Sequence, residues 1–200
     1  MLVGAVQSLF ESAMYIFVLQ WPPAVAAAVA QHFGANAVTP YGTVFSCFMA
    51  SCLLGSTLFG QLSKQSVPTE ASTTMMLSTA TLAMSAATWT VRAAGGATNT
   101  LPYLIASLFF FEACVGMYFP SIGTLRSRYV PDSHRSVIMN LFGIPLNFLV
   151  VAVFLSIHKL GVTGALAISS GALAVATLAM ARLWQQTRSG SSSTEAVAAA

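Results

Sequence analysis

The sequence has very little charge. Lys and Arg number 8 and Asp and Glu number 5, so that 6% of the 200 residues are charged, against about 25% in soluble globular proteins. So few charges cannot cover a water-facing surface, which excludes a soluble enzyme, a secreted disulfide-linked domain and a disordered tail protein. With 56% hydrophobic residues and a mean hydropathy of +0.76, the chain must be solvated mostly by lipid. The lipid bilayer is therefore its first expected partner.

Motifs for catalysis and cofactor binding are also missing. The three cysteines lie in apolar runs, with no Cys-x-x-Cys pair and no histidine at metal-binding spacing. The sequence has no phosphate-cradling loop and no nucleophile elbow. Its basic residues are too few and too scattered to follow a nucleic-acid backbone. We therefore expect no enzyme activity, no cofactor, no metal site and no nucleic-acid partner.

Six apolar runs each approach the roughly 20 residues that a helix needs to cross about 30 Å of hydrocarbon. Their uniform hydrophobicity, without alternation, favours helices over barrel strands. The sequence predicts an all-α integral membrane protein, with a six-helix bundle over residues 1–185 and a disordered cytoplasmic tail over 186–200. The predicted spans cover residues 3–28, 41–62, 73–91, 101–125, 137–157 and 162–183.

The distribution of Lys and Arg predicts the orientation of the bundle. If the N-terminus is cytoplasmic, the inner side holds six of the eight basic residues, as the positive-inside rule requires. We therefore expect a multi-pass protein of the plasma membrane with both termini in the cytoplasm. Four basic residues are expected at the cytoplasmic mouth, where they act as gate residues that pair with acids or anionic lipid, or only set the topology. These are Lys64, Arg126, Arg128 and Arg135.

Two acidic residues, Glu11 and Glu112, lie well inside predicted spans. An acid at a helix centre is expensive to insert, so it faces a bundle interior or water and often marks a pathway. Gln7, Glu11 and Tyr15 are spaced by four and so share one helix face. This stripe predicts a substrate or proton pathway, and the alternative reading is a carboxyl group with a purely structural role.

A second polar stripe lies in the fifth span. Asn140 and Asn147 are seven residues apart and point in nearly the same direction, which adds them to the predicted pathway. Gly143 and Pro145 interrupt the same helix. Because proline removes one backbone hydrogen bond, these two residues predict a helix bend of the kind found in transporters.

Several sequence blocks resemble the molybdate-anion transporter family of the major facilitator superfamily. They cover residues 7–12, 15–18, 45–58, 118–121, 125–132 and 135–147. The resemblance places these blocks in the seventh to twelfth helices of a twelve-helix carrier. It therefore implies that this chain is the C-terminal half of a transporter in which two six-helix bundles rock around a central substrate.

The resemblance also implies the substrate and the partners. Molybdate, or another small anion, would enter the cell by alternating access, and a missing N-terminal six-helix half, or a second copy of this chain, would complete the cavity. Expressed alone, the chain is expected not to transport. The family commonly has arginine at the position of Gly143, a natural partner for a dianion. Its absence leaves open a carrier of another solute, and a non-transporting subunit or scaffold is the third possibility.

Overall fold

The computed structural model describes residues 2–93, 100–130 and 135–198, and within these ranges it leaves the side chains of residues 135–140 and 190–198 undescribed. Six helices and no strands make up the described ranges, which confirms the all-α fold class. In chain order the helices are α1 (Leu2–Phe33), α2 (Tyr41–Lys64), α3 (Thr69–Ala93), α4 (Thr100–Tyr129), α5 (Arg135–Leu155) and α6 (Ile157–Ala198).

Within the described ranges, four helices are long and apolar enough to cross a membrane: α1, α2, α4 and α6 as far as Ser189. In α5 the described apolar stretch is the shorter Leu141–Leu155. Helix α3 is less apolar because it is rich in Ser and Thr. Several of its hydroxyls donate to the carbonyl four residues earlier, as Thr73 does to Thr69 at 2.6 Å, so they satisfy themselves inside the helix.

The core of the bundle lies around α1 and α4. Helix α1 packs against α4, α5 and α6, while α3 packs against α4 and α6. Stacked and tilted aromatic side chains fill the space between α1, α2 and α4, and burying such large rings contributes strongly to packing. The fully buried rings are Phe10, Phe17, Phe48, Phe111 and Tyr118. Helices α2 and α5 pack at the edges and leave many large apolar side chains exposed.

Helices α2 and α4 approach each other at two glycines. A Cβ atom on Gly55 would collide with the carbonyl of Ala113, and one on Gly116 would collide with the carbonyl of Cys52. Small residues permit such backbone contact between membrane helices. Both positions therefore require glycine for this crossing to form.

The sixth helix differs from the sequence expectation at both ends. It begins at Ile157, and Gly161 interrupts it with φ 61° and ψ −178°, a left-handed φ that glycine adopts at little cost. At the other end the helix continues through Ala198, over residues for which the sequence predicts a disordered tail. Local contacts favour this extension, because Thr187 donates to the Trp184 carbonyl at 2.7 Å and the Arg188 guanidinium lies 5.5 Å from the Trp184 ring centre.

Candidate functional site

The polar stripe of α1 meets α4 at Glu11. The hydroxyl of Tyr118 donates a hydrogen bond to Oε1 of Glu11 at 3.0 Å. Glu11 is partly buried, whereas Tyr15, one turn further along the stripe, is 49% exposed. The contact therefore joins an ionisable group in one long apolar helix to a hydroxyl in another.

Packing fixes the position of Tyr118. Its ring is fully buried and stacks on Phe10, with centroids 4.1 Å apart and planes 17° from parallel. The sequence pattern did not mark Tyr118 as a pathway residue, because a tyrosine in an apolar, aromatic run is typical of core packing. The only signal was its place in residues 118–121, a block that carries the family resemblance.

Gln7 lies one turn before Glu11 on the same face of α1. Its Oε1 atom is buried, and within the described part of the chain it accepts no hydrogen bond. A buried amide oxygen without a donor is unfavourable by about 1–3 kcal/mol.

Glu112 lies elsewhere, in the seam between α4 and α2. It is buried four residues before Gly116, which approaches the carbonyl of Cys52 in α2. Among the described residues it forms no hydrogen bond or ion pair, and no group of three His, Cys, Asp or Glu side chains could hold a metal ion. Six residues separate Glu112 from Tyr118, about 9 Å along the axis of α4. The two predicted intramembrane acids therefore do not form one cluster.

Helix α5 contacts α1 through serines. Ser8 donates to the carbonyl of Phe142 at 2.5 Å, and Ser12 lies 3.4 Å from the carbonyl of Leu146. Asn147 instead donates to the carbonyl of Gly143 in its own helix at 2.9 Å. The structure does not describe the side chain of Asn140. The described polar contact between α1 and α5 is therefore formed by serines, and not by the predicted pathway residues of either helix.

Gly143 and Pro145 lie inside α5, which remains one continuous helix from Arg135 to Leu155. Their predicted role as a bend stays a prediction. Gly143 has open space around it, since a Cβ atom there would meet nothing within 4 Å. A larger side chain would therefore fit at this position.

One end of the bundle carries an ion pair. The guanidinium of Arg128 lies 2.6 Å from Oε1 of Glu70, and the hydroxyl of Tyr129 donates to the same oxygen at 2.8 Å. Glu70 is 4% exposed and Arg128 is 57% exposed at its side chain. Burial raises the pKa of Glu70, but hydrogen bonds from its backbone, Tyr129 and Arg128 outweigh this and hold the pKa below its usual value. The pair joins the beginning of α3 to the end of α4.

The other basic residues predicted at this mouth have different surroundings. Arg126 points back along its own helix, with Nε 3.4 Å from the carbonyl of Ile122. Lys64 is the exposed last residue of α2, and the side chain of Arg135 is outside the described set. The expected pairing with an acid is thus observed for Arg128. The sequence pattern did not identify its partner Glu70 as a site residue, because Glu70 lies before the predicted third span and belongs to no recognised motif.

Comparison with known proteins adds the following similarities. The family MFS_5, described as sugar transporters with 12 TM, matches residues 1–106. The molybdate-anion transporter of Xenopus tropicalis is 33% identical over 158 residues, which are 79% of this chain and 33% of the relative. Those of Takifugu rubripes and Danio rerio are 32% and 34% identical, over 86% and 79% of this chain and 34% and 31% of their own lengths.

The chain therefore spans about a third of the length of the curated relatives that it matches. No solved structure matches it.

Proposed function

Because this chain belongs to the MFS_5 family of major-facilitator transporters, and with it to the molybdate-anion transporters, we propose that it carries molybdate into the cell by alternating access. It is a multi-pass membrane protein from a family of carriers, not of enzymes. The hydrogen bond between Glu11 and Tyr118 is the observation that carries the proposal. An ionisable group inside a membrane helix is costly unless it serves a pathway or a structural bond.

The pathway begins on the α1 stripe of Gln7, Glu11 and Tyr15, with Tyr118 facing it from α4. The remaining pathway residues are Glu112, Asn140 and Asn147. At the cytoplasmic mouth lie Lys64, Arg126, Arg128 and Arg135, and Gly143 with Pro145 lets α5 bend. In this proposal both termini are cytoplasmic, the membrane is the plasma membrane, and residues 1–185 form the transmembrane unit.

The proposal includes a second bundle. The chain covers about a third of each relative, and α2 and α5 expose large apolar side chains at the edges of the fold. Polar groups such as Glu11 find no partners in hydrocarbon, so the open side of α1 needs a facing bundle. An N-terminal six-helix half is the proposed partner, and a second copy of this chain is the alternative.

A carrier for a neutral polar solute is the second candidate. Every Lys and Arg with a described side chain lies outside the predicted spans or at the end of one, so the described middle of the bundle offers a dianion no cation. Gly143 also replaces the arginine common in the family that the sequence resembles. The matching family is described as sugar transporters, and Gln7 and Tyr15 could bind hydroxyl groups.

Reconstituting transport in cells tests these proposals. The 200-residue chain is expressed in a strain without its own molybdate carrier, either alone or with the part of the Xenopus tropicalis relative outside the matched region. We expect molybdate uptake only when both parts are present. Uptake by the chain alone, with a cross-linkable dimer, would favour two copies, and sugar uptake without molybdate uptake would favour the second candidate. No uptake by any membrane-inserted combination would refute a transport function.

A further inference from the structure

Helix α1 contains two adjacent prolines in its interior. Pro22 and Pro23 lie inside one continuous helix (Leu2–Phe33). Proline has no backbone N–H, so it cannot donate to the carbonyl four residues earlier. The carbonyl oxygens of Val18 and Leu19, the freed carbonyls of α1, therefore lack their usual helical donors.

No side chain among the described residues donates to either freed carbonyl. Where hydroxyl groups reach the backbone of α1, they bond to other residues: Ser169 of α6 donates to the carbonyl of Ala13 at 3.1 Å, and Ser12 to that of Ser8 at 2.6 Å. In lipid, a backbone acceptor without a donor is costly, and it is tolerated where it faces water or a ligand. The freed carbonyls therefore indicate that this part of α1 does not lie against hydrocarbon.

Both freed carbonyls belong to the open face of α1. Val18 is 51% exposed and Leu19 is 44% exposed. Leu19 is four residues after Tyr15, so the two residues continue the face that carries the polar stripe. They lie about 5 Å along the helix axis from the centre of the predicted span over residues 3–28. Two adjacent acceptors are thus accessible near the middle of the membrane, beside the proposed pathway.

The prolines inside other described helices do not produce the same arrangement. Pro120 in α4 frees the carbonyl of Gly116, which is buried against α2. Pro145 in α5 frees a single carbonyl, that of Leu141. Among the described helices, α1 alone therefore offers two adjacent freed carbonyls on exposed residues.

The chemistry of the freed carbonyls favours a small cation. A carbonyl oxygen carries partial negative charge, and the described middle of the bundle contains no Lys or Arg that competes for it. Divalent cations are bound with the help of carboxylates. Glu11 is seven residues before Val18, about 10 Å along the axis, which is too far for it to bind the same ion. Two neutral oxygens without a carboxylate therefore favour a monovalent ion.

We propose that the carbonyl oxygens of Val18 and Leu19 bind a monovalent alkali cation such as Na⁺, with water completing its coordination. The role of this ion in transport rests on the function proposed above. The bound ion supplies the positive charge that the described middle of the bundle lacks, and it attracts an oxyanion to the pathway. Na⁺ and molybdate therefore cross in the same direction.

Thermal unfolding of the 200-residue chain in detergent tests the cation site without requiring transport. NaCl replaces choline chloride at constant ionic strength, because the methyl groups of choline keep its charge away from the carbonyl oxygens. An ion that binds the folded chain raises the melting temperature in a saturable manner, and we expect this rise with NaCl. Pro22→Ala and Pro23→Ala each restore one N–H donor. Each should weaken the apparent Na⁺ affinity at least about tenfold.

Pro120→Ala is the matched control, because it restores an N–H donor to the buried carbonyl of Gly116 and should leave the Na⁺ affinity unchanged. The variants are compared by the Na⁺-dependent change in melting temperature, so that a general effect of Pro→Ala on helix stability cancels. The absence of a saturable Na⁺ response, or the same Na⁺ affinity in the native chain and in every variant, would overturn the cation site.

The coupling is measured as molybdate uptake into vesicles that hold the co-expressed assembly, with and without an inward Na⁺ gradient. We expect faster uptake with the gradient. Uptake that ignores the gradient would refute the coupling and leave the proposed function standing. A normal Na⁺ response in melting without any uptake would support the cation site and count against the transport function.

Discussion

Two carboxylates of this protein, those of Glu11 and Glu70, each accept a hydrogen bond from a tyrosine of α4. Of the two, Glu70 alone also forms an ion pair with a described arginine. Glu70 accepts from Tyr129 at 2.8 Å and also has the guanidinium of Arg128 at 2.6 Å. Glu11 accepts from Tyr118 at 3.0 Å and forms no ion pair with any described residue. A carboxylate paired with arginine is held in its charged form. Glu11 has no such partner among the described residues.

The positions of the two groups explain this difference. Glu70 is in the first turn of α3, where backbone N–H groups and a nearby cation stabilise negative charge. Glu11 is ten residues into α1, among apolar side chains. The Glu70 pair therefore joins two helix ends, while the Glu11 pair lies on the proposed substrate pathway.

The largest expected effect is a loss of molybdate uptake when Glu11 is changed, but not when Glu70 is changed. In the co-expressed assembly, Glu11→Gln should lower molybdate uptake at least about tenfold, which corresponds to about 1.4 kcal/mol. The matched variant Glu70→Gln keeps an acceptor for Tyr129 and should leave uptake nearly unchanged. Uptake is measured with surface expression of both variants. Normal uptake by Glu11→Gln at every pH would reduce Glu11 to a structural group.

The second prediction separates them by stability. Glu70→Ala removes the common acceptor of Arg128 and Tyr129, and we expect a loss of about 1–2 kcal/mol, reduced from the usual value because Arg128 is mostly exposed. Thermal unfolding in detergent measures the loss. Lys64→Ala, which changes an exposed residue at the same end, should stay within about 0.5 kcal/mol. Equal losses of stability in the two variants would show that the Glu70 pair stabilises the fold no more than an exposed surface residue does.

The third prediction concerns the pH dependence of this stability. Because the fold lowers the pKa of Glu70, its contribution is complete above the pKa of the unfolded chain and disappears as the pH falls through the folded pKa. The stability difference between the native chain and Glu70→Gln should therefore shrink below about pH 4. Melting temperatures of both proteins across acidic pH measure it. A difference that grows on acidification would contradict the sign of the pKa shift.

The smallest expected effect comes from giving the α1 and α5 side of the pathway a cation. Gly143→Arg should fit, since nothing lies within 4 Å of the position of its Cβ. The added guanidinium should tighten molybdate binding a few-fold, in the assembly that transports it. Gly60→Arg, at an equally open glycine of α2, is the control. Equal binding by both variants would place residue 143 away from the anion.

Local sequence properties predicted much of the fold. Apolar runs of sufficient length predicted six helices. The predicted breaks at residues 29–40 and 63–72 contain the gaps that the structure has between helices, at residues 34–40 and 65–68. The spacing of Gln7, Glu11 and Tyr15 gave a shared face because helical periodicity is a local property. The helical residues 186–198 were not expected, since Ser and Gly are weak helix formers whereas the contacts of Thr187 and Arg188 with Trp184 are specific.

The sequence by itself determined which segments form the apolar helices, because hydropathy and helical spacing depend only on neighbouring residues. Only the tertiary structure decided the partners of the two carboxylates. Tyr118 is 107 residues from Glu11, and Arg128 is 58 residues from Glu70. These contacts depend on which helices pack together, and on close approaches such as that of Gly55 to Ala113, which no local pattern encodes.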